Sequence, residues 1–183
     1  SIHYTDKLEI RHQVRDVTFN GRYYELKDVK LEINSLLQTI ISTITPGSYL
    51  YVFSFDNKNN INVHWPRDQK LDQSFYKKNE SPIMTISNIN LIIPDEDHAM
   101  EFTTKGTEYL CFLVSKRPIQ DLNKAFEKLK KSKQPDLFTN LYEAFNKNLE
   151  SIKNIKYYPN SIGFKNPIKK GIAVPLVLKL NIG

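Results

Sequence analysis

Over roughly the first 116 positions of this 183-residue chain, apolar and polar residues mostly alternate one by one; beyond them they recur every three or four. Strict alternation places apolar side chains on one side of a strand, whereas spacing of three and four places them on one side of a helix. The first pattern is clearest in Ser48-Tyr-Leu-Tyr-Val-Phe-Ser-Phe-Asp56, a β-branched and aromatic run that ends at an Asp, Asn and Lys turn. It resumes with Ile61, Val63 and Trp65, which predicts a central hairpin. Asn20-Gly21, between Val17-Thr-Phe19 and Tyr23-Tyr24, predicts an earlier hairpin, because both residues tolerate the positive φ of a tight turn. Val29, Leu31 and Ile33 alternate with Lys30 and Glu32 as in a strand with one wet face. From Asn34 the period changes: Leu36, Leu37, Ile40, Ile41 and Ile44 share a helical face, with Asn34 or Ser35 as cap and Pro46-Gly47 as stop, so a helix is expected there.

Arg67 to Ser81 carries little apolar period apart from Leu71, Phe75 and Tyr76, and predicts a surface loop. Met84, Ile86, Ile89, Leu91 and Ile93 predict one strand, or two joined near Ser87-Asn88, ending at Pro94-Asp95. Met100 and Phe102 alternate with Glu101 and Thr103. After a Lys105-Gly106 turn, Glu108 to Ser115 is apolar on both faces, as in a central strand. Leu122, Ala125, Phe126 and Leu129 then form one helical stripe. Leu137, Leu141, Tyr142, Phe145, Leu149 and Ile152 form a second, with Pro135 placed to open it. Ile172 to Ile182 returns as a strand in which Pro175 requires an edge position or a bulge. The predicted fold class is α+β: one antiparallel, β-sandwich-like domain over residues 1–183, with a helix before the central hairpin, a C-terminal helix pair at about 118–153, and a final strand.

Charge adds an asymmetry. Residues 1–100 hold 11 Lys or Arg against 13 Asp or Glu, and residues 101–183 hold 15 against 7, so the net +6 belongs to the C-terminal part. Its densest cluster is Lys124, Lys128, Lys130, Lys131 and Lys133, at one end of a predicted helix. It suits the helix dipole there, and also a nucleic acid or an anionic surface. The single Cys111 excludes a disulfide framework within the chain. No apolar run reaches the roughly 18 residues of a membrane helix, and the first residues resemble no signal peptide. Beginning at Ser1, the chain reads as a segment of a longer protein.

Candidate chemistry is dispersed. His3, His12, His64, His98, Cys111 and the acidic loop Asp95-Glu-Asp-His98 lack a diagnostic spacing. Asp95, Asp97 and Glu101 lack the glycine and oxygen pattern of a calcium loop. Cys111 with His64 or His98 as base would make a thiol hydrolase, but a thiol between Leu110 and Phe112 is expected in the core. Tyr49, Tyr51, Phe53 and Phe55, with Tyr23 and Tyr24, have the make-up of a stacking platform; their spacing on one strand suits a sandwich interior better. No cofactor follows from these residues. Trp65 follows Val63 by two, which puts both on one face; with Ile61 there too, that face is expected to be the core and His64 to face solvent.

Four segments together resemble a known family: Ser48-Tyr-Leu-Tyr-Val-Phe-Ser-Phe-Asp56, Asn60-Ile-Asn-Val-His-Trp-Pro66, Leu91-Ile-Ile-Pro-Asp95 and Lys105-Gly-Thr-Glu-Tyr-Leu-Cys-Phe-Leu-Val-Ser115. The family comprises bacterial domains of unknown function with the pattern YvyvFniDsxGxvxxLfPn, a strand ending in iPd, and a pGtexlxvivSxxp strand. The likeness covers about residues 30 to 120. His64-Trp65 stands where that family tends to have Leu-Phe, and the basic helix pair has no counterpart in its core pattern. Such domains often follow caspase-like peptidase domains or accompany signalling and envelope modules. The resemblance implies a non-catalytic accessory, interaction or ligand-sensing module of a larger bacterial signalling or peptidase protein, with a protein as its partner and no catalytic residue to carry over.

Overall fold

The computed structural model describes residues 1–6, 8–42, 45–67, 80–85, 90–133, 135–145, 148–165, 168–169 and 172–183. Most of the expected loop at 67–81, and Ile44, Ile86, Ile89 and Ser87-Asn88, lie outside them. In chain order the strands are β1 (Ile2–Thr5), β2 (Arg11–Val14), β3 (Val17–Phe19), β4 (Tyr24–Leu26), β5 (Leu36–Ile41), β6 (Tyr49–Asp56), β7 (Ile61–Trp65), β8 (Leu91–Ile93), β9 (Met100–Glu101) and β10 (Gly106–Ser115). Then come α1 (Leu122–Lys131), α2 (Leu137–Phe145) and β11 (Val174–Ile182). The smaller sheet has the order β2-β1-β5-β8, with β9 also on β5; the larger has the order β3-β4-β11-β10-β6-β7. All the pairs are antiparallel except β11 with β4.

The larger sheet is the middle of three layers. Alternation along β6 and β10 sends Leu50, Val52, Leu110 and Phe112 toward the smaller sheet, where they meet Ile2, Val14, Leu37 and Ile93. The intervening Tyr51, Phe53, Phe55, Tyr109, Cys111 and Leu113 face the other way, under Ala125, Phe126 and Leu129 of α1 and Phe138, Leu141 and Phe145 of α2. Phe53 lies edge-on to Phe126 at 4.9 Å and stacks on Phe145 at 5.6 Å. The architecture is therefore the expected α+β, sandwich-like one, with the helix pair packed outside it.

The helix expected over residues 34–44 is instead strand β5. Its inward residues are Leu37, Thr39 and Ile41, spaced by two. Thr39, Ile40 and Ile41 are consecutive β-branched residues, which suit a pleated surface. β1 and β8 or β9 then supply hydrogen-bonding partners on both edges. Val29 to Ile33 is not a strand but contributes the single bridge of Leu31 to Ile182. The Asn20-Gly21 hairpin is present with a longer turn: Phe19 pairs with Tyr24, and only Gly21 has positive φ (94°), so four residues connect β3 to β4. Pro175 lies where β10 alone flanks β11, because β4 reaches only Leu178 and Lys179. Its missing N–H thus costs no ladder bond.

Replacing Phe53 by Ala removes a ring that is 1% exposed and held between two aromatic neighbours. Urea unfolding should show a loss of about 3–5 kcal/mol. A loss below about 1 kcal/mol would mean that the helices do not seal this face.

Candidate functional site

At the end of the sandwich where β6 begins and β10 ends, the two sheets enclose a cleft of about 1030 Å³. Alternation builds its walls: Leu50, Phe112, Val114 and Leu176 from the larger sheet, and Ile2, Val14, Thr39 and Ile41 from the smaller. A third wall is the segment 158–165 with Ile168. This segment is fastened to the larger sheet by aromatic hydroxyls. The buried Tyr24 hydroxyl lies 2.9 and 2.8 Å from the carbonyls of Tyr158 and Gly163. The Tyr157 hydroxyl donates to the Pro175 carbonyl at 2.6 Å, and the Phe19 amide donates to the Pro159 carbonyl.

The cleft's chemistry is one-sided. Arg15, Lys116 and Lys165 line it, and no Asp or Glu does among the described residues. All three cations are exposed and form no ion pair with described residues, although Lys165 sits 5.3 Å from the centre of the Tyr158 ring. Thr39 is 3% exposed, shares the inward face of Leu37, and its hydroxyl has no hydrogen-bond partner. Such a group carries a desolvation cost of roughly 1–3 kcal/mol until something in the cleft bonds to it.

The opposite end of the inter-sheet space is polar. Buried His64 places Nε2 2.9 Å from the Ser54 hydroxyl, which also bonds the Glu108 carboxyl. Ser54 has one proton; given to Glu108, it leaves the oxygen to accept from the Nε2–H tautomer of His64. Burial, and then nearby Arg67, pull the His64 pKa down to about 4. Burial and the neighbouring Asp56 carboxylate push Glu108 up, against the bond from Ser54. Next to this chain, Arg67 binds Glu80 at 2.6 Å and Asp95 at 2.9 Å, joining the segment after β7 to the segment after β8. Burial opposes ionisation of Asp95, but bonds from His98, Arg67 and the Asp97 amide hold its carboxyl well below the usual carboxylate range. In a serine nucleophile the acid orients the histidine. Here the acid contacts the serine, the hydroxyl is 2% exposed, and the imidazole is a weak base. The arrangement satisfies buried polar groups on neighbouring strands of the larger sheet.

The expectation that His64 faces solvent is overturned, and Trp65, expected in the core, packs against it only half-buried. A bulge shifts the register so that Phe53 pairs with Val63 and Val52 with Trp65, leaving His64 as the extra residue. Val63 consequently packs on the helix side, Trp65 packs on the inter-sheet side half-buried, and His64 points inward. A bulge breaks parity within a strand, which is why counting by two failed.

Cys111 is fully buried under the helices, and burial pushes its thiol pKa well up. Neither His64 nor His98 shares its face or is bonded to it. His3 and His12 are on the smaller sheet, where His12 stacks on Tyr4 at 4.8 Å and bonds Asp6 at 2.8 Å. Asp95 is turned to Arg67 and His98, away from any grouping with Glu101; among the described residues no three His, Cys, Asp or Glu could hold a metal. Tyr51, Phe53 and Phe55 are core, but beneath the helices and not in the sandwich interior where they were expected, and Tyr24 lies on the opposite face. Lys124, Lys128, Lys130, Lys131 and Lys133 are all exposed. Lys130 pairs with Glu127 at 3.1 Å, and Lys128 and Lys131 sit in the last turn of α1, where its carbonyl end accounts for them. No described helix is long and apolar enough to cross a membrane.

Sequence reading missed the cleft. Its lining comes from seven separate stretches of chain, and none of them carries a motif. Comparison with known proteins finds no matching family model, no matching curated protein and no matching solved structure.

The buried imidazole makes stability depend on pH. Between about pH 6.5 and about pH 4 the unfolded His64 binds a proton that the folded one refuses, so this group lowers stability as pH falls through that window. Glu108 acts in the opposite sense, since its raised pKa favours the fold at low pH. The stability difference between the natural chain and His64→Gln should therefore change by roughly 3 kcal/mol from pH 7 to pH 4 in urea titrations. A difference that does not vary with pH contradicts the buried, neutral imidazole.

Proposed function

We propose that this chain is a non-catalytic binding module, an accessory to a larger bacterial signalling or peptidase protein, and that its working element is the cleft between the two sheets. The observation that carries this reading is the cleft itself: about 1030 Å³ of largely apolar space with cations at its edge. That volume is at the upper end of the range for small-molecule sites. A well-packed sandwich leaves few voids larger than a water molecule, so an opening of this size is space available to a ligand.

Supporting this reading, the residues best suited to chemistry are engaged elsewhere. Cys111 is sealed beneath the helices, His64 is neutral inside a hydrogen-bonded chain, and Asp95 is held by Arg67 and His98. The resemblance to accessory domains points the same way, and it also suggests why the module would be covalently linked to an enzyme whose activity it informs. A ligand entering between the sheets would contact strands of both, and the fastened 158–165 wall would transmit its presence to the surface.

The test uses N-phenyl-1-naphthylamine, a neutral dye that fluoresces in apolar surroundings. Saturable enhancement with one dye per chain is expected, and Ile41→Trp, which fills the cleft from β5, should abolish it while leaving the urea midpoint nearly unchanged. Absence of enhancement, or equal enhancement in the filled variant, would overturn the proposal.

A further inference from the structure

We infer that the cleft takes a single-chain fatty carboxylate: an apolar chain between the sheets and an anionic head at the edge. The inference deepens the binding reading above and rests on it. It comes from the way the lining divides. Val14, Ile41, Leu50, Phe112, Val114 and Leu176 supply aliphatic and aromatic walls from facing sheets, a slot suited to a flexible hydrocarbon chain. Arg15, Lys116 and Lys165 supply positive charge from three different parts of the chain, after β2, after β10 and from the 158–165 wall.

Charge complementarity selects the sign of the head group. No acidic side chain lines the cleft among the described residues, and the three cations are not neutralised by described partners. Arg15 and Lys116 are exposed at the mouth, where each keeps its water until an anion arrives. A carboxylate there gains charge-assisted hydrogen bonds without any ion having to be buried alone. An aliphatic alcohol of equal length would gain the apolar contacts and lose those bonds.

The chain part should follow the hydrophobic scale. Each methylene taken into the cleft is expected to tighten binding roughly fourfold, and two of them about fifteenfold, until the slot is full. The head-group part should weaken with salt, as an exposed charge contact does.

Competition against N-phenyl-1-naphthylamine tests both parts, with decanoate, dodecanoate and dodecanol below their micellar concentrations as probes. Dodecanoate should displace the dye about fifteenfold more tightly than decanoate, and more tightly than dodecanol. The double variant Arg15→Glu, Lys116→Glu changes only exposed side chains; it should keep its circular dichroism and lose the preference for carboxylate over alcohol, read as the ratio of the two competitors on that same variant. If the dye binds and Ile41→Trp blocks it, but dodecanol competes as well as dodecanoate or charge reversal leaves their ratio unchanged, the fatty-carboxylate assignment fails and the binding module stands. If the dye does not bind in the cleft at all, both fail together.

Discussion

β6 and β10 carry large apolar side chains on both faces, so water has to be excluded from both sides of one sheet. Burying each Phe or Leu contributes roughly 1.5–3 kcal/mol, and no single partner layer can cover both faces. The smaller sheet covers one and the α1–α2 pair covers the other. β11 returns to pair with β10 along its whole length, which closes the layer formed by the two-faced strands. The C-terminal helix pair is in this sense a required lid, and the exposed lysines are the outer side of that lid.

The two ends of the inter-sheet space resolve the same constraint differently. Where β6 ends and β10 begins, Ser54, His64 and Glu108 fill the space with a hydrogen-bonded chain, and Arg67 ties one sheet to the other through Asp95. This end is closed, specific and dependent on protonation. Where β6 begins and β10 ends, apolar residues of both sheets line a cleft, and a strap held by Tyr24 and Tyr157 keeps the opening in place. A polar end that locks the sheets allows the apolar end to stay open without loss of register.

Much of the fold could be read from periodicity. The central hairpin, the two-faced strand at Glu108 to Ser115 and both helical stripes follow from spacings of two or of three and four, because those spacings are the geometry of the elements. Besides the Val29 to Ile33 strand, which reduces to one bridge, readings failed where a local rule was overridden. Leu36 to Ile41 contains apolar pairs that fit a helix, but strand partners on both sides and three β-branched residues decide for β5. At His64 a single bulged residue breaks the alternation, so His64 turns inward and Val63 and Trp65 fall on different faces. The candidate site was less legible still. A cleft is space left over after packing, and nothing in the identity of Val14, Thr39 or Leu176 announces that it borders one. The isolated cations Arg15, Lys116 and Lys165 lack the density that drew attention to the lysines of α1, yet folding gathers them at one opening.

The central claim is that ligand enters between the sheets and not beneath the helices. Nuclear Overhauser contacts from bound N-phenyl-1-naphthylamine to methyl-labelled Ile, Leu and Val residues distinguish the two faces directly. Contacts to Ile41, Leu50, Val114 and Leu176, with none to Leu129, Leu141 or Val177, are the predicted result. Contacts confined to Leu129, Leu141 and Val177 would contradict it.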